Sequence, residues 1–302
     1  MAKLGQHFLK NKSKIKKIVE ALELKNGDTV IEIGPGHGEL TEEIIKRLED
    51  LKIKRFKIIA IEKDNQLAEN LRLKFKNNKN IEIIKGDALK LLPQLTYDLR
   101  LATNNYKIVG NIPYYITGYL LRILGELKNP VVGQARYGAG KPSLIILTIQ
   151  KEVAERICLP RRSINGDGRS KTKMNLLAAS VQFWAETKII SYVSKKYFRP
   201  QPKVDSAIIK LITNNQQSTI EEAINYYWFI KILFKQPRKT IFNNLRPIMN
   251  DTQLTKENLK SIGFDIQSRP QDLSLEQIIN LSIFFKDKPA CEQLSCGKRR
   301  NV

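Results

Sequence analysis

The sequence predicts an α/β fold in which a parallel sheet is covered by helices and followed by a smaller all-helical domain. Short apolar runs alternate with helix-periodic segments roughly every 20–30 residues along the first half of the chain, which is typical of βαβ units. Strand signals then stop after a polar linker at 213–219. Hydrophobic residues make up 42% of the 302 residues, so the chain can bury a substantial core.

Each strand is predicted from a short apolar run, and each helix from apolar residues at helical spacing. The predicted strands lie at 28–34, 56–64, 80–88, 106–111, 143–150 and 203–212. Helices are predicted at 12–24, 39–51 and 65–76, from Tyr115 onward, and in four segments between 220 and 285. The run at 143–150 is apolar almost throughout, which indicates a strand that is covered on both faces.

The domain boundaries follow from these patterns. We expect a sheet-containing domain at 1–213, which includes a basic amphipathic N-terminal segment at 1–24. A helical domain is expected at 218–285. The remaining segment, 286–302, is polar and has few apolar anchors, which predicts a disordered tail.

The chain is strongly basic: 52 Lys and Arg residues stand against 30 Asp and Glu residues, for a formal net charge of +22. Nucleic acid is the favoured partner, because neutralising phosphates requires many cationic side chains on one surface. A generally lysine-rich composition is the alternative explanation.

The three cysteines and two histidines indicate neither a disulfide framework nor a zinc site, so we expect a reducing compartment and no metal. No apolar run reaches the roughly 18 residues of a membrane span. The N-terminal segment lacks the apolar stretch of a signal peptide. We therefore expect a cytoplasmic protein that does not bind membranes.

A glycine-rich turn, with Gly34, Gly36 and Gly38, lies between the first predicted sheet strand and its helix. Glycines at this place let a ligand approach the backbone closely. The helix begins with acidic residues, Glu39 and Glu42, which would repel a pyrophosphate. The turn therefore favours a cofactor without phosphates, and S-adenosylmethionine (SAM) meets that description. A tight turn that binds no ligand is the alternative.

Polar residues close the next three predicted strands. Glu62 could accept hydrogen bonds from both hydroxyls of a ribose, and Asp87 could accept one from an adenine amino group. Asn111 closes the fourth strand. Because ligands of open parallel sheets bind at the carboxyl ends of the strands, we expect these side chains to line one crevice. Each of them alone could also be a solvated loop residue.

The segment Asn111-Ile112-Pro113-Tyr114 suits methylation of a planar amino nitrogen. The Asn111 side-chain oxygen, together with a neighbouring backbone carbonyl, could bind the hydrogens of an adenine N6 and orient it toward a methyl donor. Pro113 restricts the turn, and Tyr114 offers a ring against which a flipped base can stack. Tyr115 is interpreted as the first residue of the next helix, with a packing role. A strand-to-helix turn with core tyrosines is the alternative.

Several motifs together resemble one family. They are LGQHFL, EIGPGHGELT, IEKD, GDA, GNIPYYIT, QKEVAERI, YFRPQPKVDSAIIKL, QPRKTIFNNL and RPQDLSLEQ, in this order from about Leu4 to Phe285. In these motifs the chain resembles the KsgA (RsmA) family of small-subunit rRNA adenine N6-dimethyltransferases. The resemblance implies a Rossmann-like, class I SAM-dependent methyltransferase sheet and an rRNA-binding role for the helical domain.

The resemblance also implies roles for individual residues. In this family the segment that contains His7 and Leu9 covers the cofactor. The residues expected to contact SAM are His7, Leu9, Gly34, Gly36, Glu62, Asp87, Ala88 and Asn111. The residues expected at the reacting base are Asn111, Pro113, Tyr114 and Phe198, with the target adenine between the two aromatic rings.

The function implied by the resemblance is the dimethylation of two adjacent adenines in the 3′-terminal hairpin loop of small-subunit (16S) rRNA, linked to small-subunit biogenesis. The protein is then expected to act as a monomer on small-subunit rRNA or on a precursor of the small ribosomal subunit. The basic segment 151–205, which contains Tyr197 and Phe198, suits an RNA surface. An Erm-type methyltransferase of large-subunit rRNA and a non-catalytic ribosome-assembly factor are the alternatives.

Overall fold

The computed structural model of the protein describes residues 6–98, 106–128, 142–158, 173–214, 219–248, 263–265 and 267–285. The chain divides into two compact units, one formed by residues 1–158 and 184–216 and the other by 159–183 and 217–302. This division differs from the single predicted boundary near residue 213, because the described residues 173–183 group with the helical unit. Most of the loops at 133–142 and 159–173, the helix predicted at 255–263 and the tail at 286–302 lie outside the described residues.

The first unit alternates strands and helices. Its strands are β1 (Phe8–Leu9), β2 (Thr29–Ile33), β3 (Lys57–Glu62), β4 (Ile81–Lys85), β5 (Tyr106–Asn111), β6 (Leu144–Gln150), β7 (Ala185–Val193), β8 (Phe198–Arg199) and β9 (Ser206–Thr213). Its helices are α1 (Lys12–Ala21), α2 (Glu39–Asp50), α3 (Asn65–Lys74), α4 (Ala88–Asp98), α5 (Thr117–Lys128) and α6 (Lys151–Ile157). Short 3₁₀ turns precede α5, at Tyr114–Ile116, and β8, at Lys195–Tyr197.

Among the described residues, seven strands form one sheet in the order β4-β3-β2-β5-β6-β9-β7, and β1 pairs separately with β8. The strands from β4 to β6 are parallel, whereas β9 and β7 run antiparallel to their neighbours. The chain moves outward from β2 through β3 to β4 and then returns to β5 on the other side of β2. The carboxyl ends of β2 and β5 therefore form the switch point at which open α/β sheets bind their ligands.

A parallel sheet was predicted, but neither the antiparallel direction of its last predicted strand nor the strand β7 was predicted. The strand predicted at 203–212 corresponds to β9, which pairs antiparallel with β6. The edge strand β7 was missed, because charged residues such as Glu186 and Lys188 interrupt its apolar pattern. A register irregularity between Ile189 and Ser191 further disturbs its alternation.

The described part of the second unit is helical. It contains α7 (Leu176–Gln182), α8 (Ile220–Leu233), α9 (Ile241–Leu245) and α10 (Leu275–Phe284). Capping boxes begin α8, through Thr219, and α10, through Ser274. The core contains the buried rings of Tyr226 and Phe229, and Phe183 stacks on Tyr226 with ring centroids 3.9 Å apart. In the part of the chain that the structure describes, no helix is long and apolar enough to cross a membrane.

Candidate active site

An open cleft of about 830 Å³, which includes space that is open to solvent, lies in the first unit at the carboxyl ends of β2, β3, β4 and β5. The residues that line it are Gln6, His7, Phe8, Ile33, Gly34, Gly36, Ile61, Glu62, Lys63, Gly86, Asp87, Ala88, Asn111, Ile112, Pro113, Tyr114, Tyr115, Ile116 and Phe198. The four strand ends that were expected to share one crevice therefore do so.

The glycine turn after β2 has a backbone that only glycine adopts easily. Gly34, Gly36 and Gly38 have φ angles of +68°, +61° and +88°. A Cβ atom at Gly36 would lie 2.6 Å from Cε1 of the Phe8 ring, so the turn also needs the missing side chain. The N-terminal segment thus packs directly onto the turn, and Gly38 begins α2.

Glu62, at the end of β3, is a buried carboxylate held by backbone groups. One carboxylate oxygen accepts a hydrogen bond from the Gly36 N–H at 3.0 Å, and the other accepts one from the Asp64 N–H at 2.9 Å. Burial raises the pKa of Glu62, although these backbone donors oppose the shift. A carboxylate has about four lone-pair sites. Glu62 can therefore accept further hydrogen bonds, as recognition of ribose hydroxyls requires.

Asp87 lies just after β4 and forms an ion pair with Lys63, with the two charged atoms 3.0 Å apart. Its other carboxylate oxygen accepts a hydrogen bond from the Leu89 N–H at 3.0 Å. Burial pushes the pKa of Asp87 upward, but the hydrogen bonds from Lys63 and Leu89 outweigh it and hold the pKa below its usual range. Asp87 is therefore an ionised acceptor at neutral pH.

The N-terminal segment is held at the cleft by strand pairing and by two hydrogen bonds that involve side chains. Strand β1 pairs antiparallel with β8, so that Leu9 lies opposite Phe198. The Nδ1 atom of His7 lies 2.8 Å from the carbonyl oxygen of Pro200. The Asn111 side chain donates a hydrogen bond from Nδ2 to the carbonyl of His7 at 2.6 Å. The segment thus connects the end of β5 to the strand that carries Phe198.

The contact with His7 also fixes the orientation of the Asn111 amide. A backbone carbonyl can only accept a hydrogen bond, so the nitrogen of the amide faces His7 and the oxygen faces away. Among the described residues, none donates a hydrogen bond to this oxygen. The geometry therefore leaves Asn111 Oδ1 as an acceptor at the end of β5, where a donor such as an amino group could bind.

The two predicted stacking rings both line the cleft but differ in exposure. Tyr114 is half-buried, and its hydroxyl lies 2.8 Å from Ser206 Oγ. Burial raises the pKa of Tyr114, while the hydrogen bond with Ser206 opposes the shift. Phe198 is only 1% exposed and belongs to the hydrophobic core of the first unit. The Phe198 ring therefore also contributes to packing, which the sequence did not indicate.

All the predicted site residues line this cleft except Leu9. The Leu9 side chain is buried in the core of the first unit, and it borders a second, smaller cleft instead. The reason is the alternation of β1: Phe8 faces the glycine turn, and Leu9 faces the opposite side. The expectation that Leu9 contacts the cofactor is not supported by this placement.

The interpretation of Tyr115 as a packing residue was wrong. Its side chain is 65% exposed and lies at the cleft. The sequence places Tyr115 at the start of a helix but does not show whether another element covers it. A helical pattern identifies a face only when apolar residues repeat along it.

Glu32, in the apolar strand β2, was missed by the sequence reasoning. It is fully buried, accepts a hydrogen bond from Thr41 Oγ1 at 2.7 Å, and has no partner for Oε1 among the described residues. Burial and, to a smaller extent, the nearby carboxylates Glu62 and Glu39 raise the pKa of Glu32 to about 7. Glu32 borders the smaller cleft together with Gly34 and Asn111. A lone acidic residue within an apolar strand was the available signal.

The polar side chains that line the cleft include two carboxylates, an amide and the Lys63 ammonium group, which pairs with Asp87, in a chain that is strongly basic. Glu62 and Asp87 provide carboxylates, and Asn111 provides an amide oxygen. Such groups suit a ligand that carries positive charge and hydroxyl or amino donors. Within the described residues, no three His, Cys, Asp or Glu side chains are grouped so that they could hold a metal ion.

Comparisons with known proteins point to one family. The family model described as ribosomal RNA adenine dimethylase matches residues 1–287. The ribosomal RNA small subunit methyltransferase A of Mycoplasma capricolum is 34% identical over 281 residues, which cover 92% of this chain and 94% of the relative.

Two solved structures share the fold. A dimethyladenosine transferase from Plasmodium falciparum has a TM-score of 0.67 at 23% identity, over 93% of this chain and 99% of that one. The 23S rRNA methyltransferase ErmE has a TM-score of 0.63 at 23% identity, over 92% of this chain and 98% of that one. The predicted class I methyltransferase fold is thereby confirmed. From the match along almost its whole length, the chain belongs to the ribosomal RNA adenine dimethylase family, whose members are SAM-dependent methyltransferases.

Proposed function

We propose that this protein dimethylates the N6 atoms of two adjacent adenines in the 3′-terminal hairpin loop of small-subunit rRNA, with SAM as methyl donor. The observation that carries the proposal is the Asn111-Ile112-Pro113-Tyr114 turn, which lies in the same cleft as Glu62 and Asp87. The protein would act as a cytoplasmic monomer on small-subunit rRNA or on a precursor of the small ribosomal subunit.

The residues of the cleft fit SAM. Glu62 would accept hydrogen bonds from the ribose hydroxyls, and Asp87 would accept one from the adenine amino group of the cofactor. The acidic start of α2, at Glu39 and Glu42, disfavours a phosphate-bearing cofactor instead. Gly34, Gly36, His7 and Ala88 line the same cleft. When bound, SAM supplies an electrophilic methyl group on a positively charged sulfur.

The chain's own contribution to the reaction is orientation. Asn111 Oδ1 would accept a hydrogen bond from the target N6, whose lone pair is otherwise delocalised into the ring. Holding this nitrogen in line with the methyl group supplies proximity and electrostatic stabilisation, which are large terms in catalysis. No strong base is needed, because the N–H becomes acidic once the methyl group is attached.

The target base would be held by the two aromatic residues of the cleft. Tyr114 offers a half-buried ring whose hydroxyl is fixed by Ser206. Phe198 would contact the base from β8 through the small part of its ring that is exposed. Stacking of an extruded base on aromatic rings is the usual way in which enzymes hold such a base.

Small-subunit rRNA is favoured over large-subunit rRNA by the curated relatives. The M. capricolum relative, at 34% identity over nearly the full chain, is a small-subunit rRNA methyltransferase. The likeness to ErmE, at 23% identity, concerns the fold and does not discriminate between the two substrates. A non-catalytic assembly factor is disfavoured, because Glu62, Asp87 and Asn111 are all present in the cleft.

The test is methylation of purified ribosomal subunits in vitro. Small and large subunits from a strain that lacks this modification are incubated with the protein and labelled SAM, and the rRNA is digested and analysed by mass spectrometry. We expect N6,N6-dimethyladenosine in the 3′-terminal hairpin of the small-subunit rRNA only. Label in large-subunit rRNA would instead indicate the Erm-type activity, and absence of label from both would indicate the non-catalytic role.

A further inference from the structure

An exposed aromatic stripe borders the mouth of the cleft. It consists of Tyr115, in the 3₁₀ turn before α5, and Gly118, Tyr119 and Arg122 of α5. Tyr115 is 65% exposed and Tyr119 is 49% exposed. The guanidinium carbon of Arg122 lies 4.5 Å from the centroid of the Tyr119 ring, which is a cation–π arrangement. Because positions three and four apart share a helix face, these side chains form one surface.

This surface does not serve the packing of α5. The helix is anchored through its opposite face, where Leu120, Leu121 and Leu124 are buried. Two exposed tyrosines on one helix face beside a functional cleft form an apolar patch, and such patches often mark an interaction site. Tyr115 itself lines the cleft, so the stripe begins where a substrate would enter.

Gly118 leaves a gap in the middle of the stripe. A Cβ atom there would meet no other atom within 4 Å, so the position is not crowded. Its helical backbone does not require glycine either, and glycine is a poor helix former. The missing side chain therefore leaves the space beside the Tyr119 ring open for a flat group to approach the helix backbone closely.

We propose that this stripe is a stacking platform for the unpaired bases of the substrate RNA that flank the target adenine. With the target base in the cleft beside Tyr114, a neighbouring base would lie over Tyr115 and Gly118, against the ring of Tyr119. Arg122 contacts the Tyr119 ring through the cation–π interaction and adds positive charge near the RNA backbone. The inference rests on the proposed function and names the part of the substrate that α5 recognises.

RNA is favoured over a protein partner on the basis of charge and chemistry. The chain has a net charge of +22, and the stripe itself ends in an arginine. Every base has a π face, so exposed tyrosines bind single-stranded RNA without needing a particular sequence. If the stripe instead bound a protein partner, substitutions in the stripe would leave the binding of isolated rRNA unchanged.

The experiment compares three variants with the wild-type protein. Tyr119→Ala removes one ring, Tyr119→Phe keeps it, and Gly118→Leu fills the gap with a good helix former. None of these positions lines the cleft, so SAM affinity, measured by calorimetry, should be unchanged. Leu51→Ala, an exposed position at the far end of α2, serves as the matched surface control.

Two readouts are used. The first is KM for unmethylated small-subunit rRNA, which we expect to rise about tenfold in Tyr119→Ala and Gly118→Leu and to stay near wild type in Tyr119→Phe. The second is the fluorescence of 2-aminopurine placed next to the target adenine in the 3′-terminal hairpin. Binding should quench this fluorescence through stacking for wild type and Tyr119→Phe, and much less for Tyr119→Ala.

The possible failures are distinguishable. If the wild-type protein methylates the rRNA while Tyr119→Ala and Gly118→Leu match it in KM and in quenching, the platform is refuted and the proposed function stands. If the wild-type protein methylates no rRNA, the proposed function fails and the platform falls with it.

Discussion

Asn111 would combine two roles in one side chain under the proposed function. Its Nδ2 atom donates a hydrogen bond to the carbonyl of His7 in the N-terminal segment, and this bond leaves Oδ1 to accept a hydrogen bond. The same side chain would therefore hold the N-terminal segment over the site and orient the reacting nitrogen. An aspartate at this position would keep an acceptor but would lose the bond to His7.

Asn111→Ala is therefore expected to lower the rate of methyl transfer by about 10²–10³-fold, the usual effect of removing one such polar group from an active site. RNA binding should be largely retained, because we expect basic side chains elsewhere to supply most of the RNA affinity. Transfer from labelled SAM and filter binding of small-subunit rRNA measure the two quantities. Full activity of the variant would exclude the proposed role of Asn111.

Glu32 predicts a pH dependence of stability. Its pKa is raised from 4.5 to about 7 on folding, so between these pH values the folded protein retains a proton that the unfolded chain has lost. Stability conferred by this proton is present below pH 4.5 and is lost as the pH rises toward 7. The loss amounts to about 3 kcal/mol in the free energy of unfolding.

Glu32→Gln should remove this dependence, because the amide stays neutral and can still accept the hydrogen bond from Thr41. In the absence of SAM, the variant should match the wild-type Tm at pH 5 and exceed it at pH 8. Glu49→Gln, an exposed position on α2, should show no such difference. A parallel pH dependence of Tm in the wild type and Glu32→Gln would contradict the burial of a titrating carboxyl.

At the scale of elements, a buried ion pair connects β5 to the turn before β2. Lys107 Nζ donates hydrogen bonds to Asp28 Oδ2 and to the carbonyl of Glu23, each at 2.6 Å. The side chains of Lys107 and Asp28 are both only 5% exposed. The pair lies at the amino ends of the two strands whose carboxyl ends form the switch point.

Lys107→Met is expected to reduce the free energy of unfolding by about 3–5 kcal/mol, because it leaves a buried carboxylate without its cation. Urea denaturation measures this change. Adding Asp28→Asn should restore part of the loss, since the uncompensated charge is then removed. Lys57→Met breaks the exposed pair with Glu82 and should cost about 0–1 kcal/mol. Equal effects of both lysine substitutions would show that burial does not govern the interaction.

Strands with strong apolar runs could be predicted from the sequence. Pairings between segments that are far apart in the chain could not. The strands β2 to β6 were predicted to within a few residues, because each contains a short apolar run; β2, β3, β5 and β6 are largely buried, whereas the edge strand β4 is only partly buried. The pairing of β1 with β8 joins two-residue segments that are far apart in the chain, so no local pattern encodes it. The edge strand β7 escaped for a different reason: only its first and last residues are buried, and exposed residues interrupt its apolar pattern.

The same distinction applies to the candidate site. Glu62, Asp87 and Asn111 were predictable, because each follows a recognisable strand and the carboxyl ends of parallel strands converge. Glu32 was not, because its burial and its unpartnered oxygen depend on elements packed around β2. The exposure of Tyr115 likewise depends on what covers the start of α5, and the sequence alone does not contain that information.

At the scale of the whole molecule, the charge is divided between surface and cleft. The chain carries a net charge of +22, yet its cleft is lined by the carboxylates Glu62 and Asp87, with Lys63 paired to Asp87, and lies close to the buried Glu32. A basic exterior attracts a polyanion, whereas acidic groups at the cleft favour a small cation. The two substrates of the proposed reaction, rRNA and SAM, carry these opposite charges and are thereby directed to different places on the same protein.

This division predicts different responses of the two substrates to salt. For single-stranded RNA, the logarithm of the association constant should fall linearly with the logarithm of salt concentration, with a slope of about −0.7 for each phosphate contacted. With roughly six contacts, affinity should fall by about 10²–10³-fold between 50 and 200 mM salt.

SAM affinity should change far less over this range, because its recognition involves few charges and releases no condensed counterions. Fluorescence anisotropy with the 3′-terminal hairpin of small-subunit rRNA, and calorimetry with SAM, measure both on one preparation. A flat response of RNA affinity would mean that the excess of lysine and arginine reflects composition alone. The basic surface would then have no part in binding the substrate.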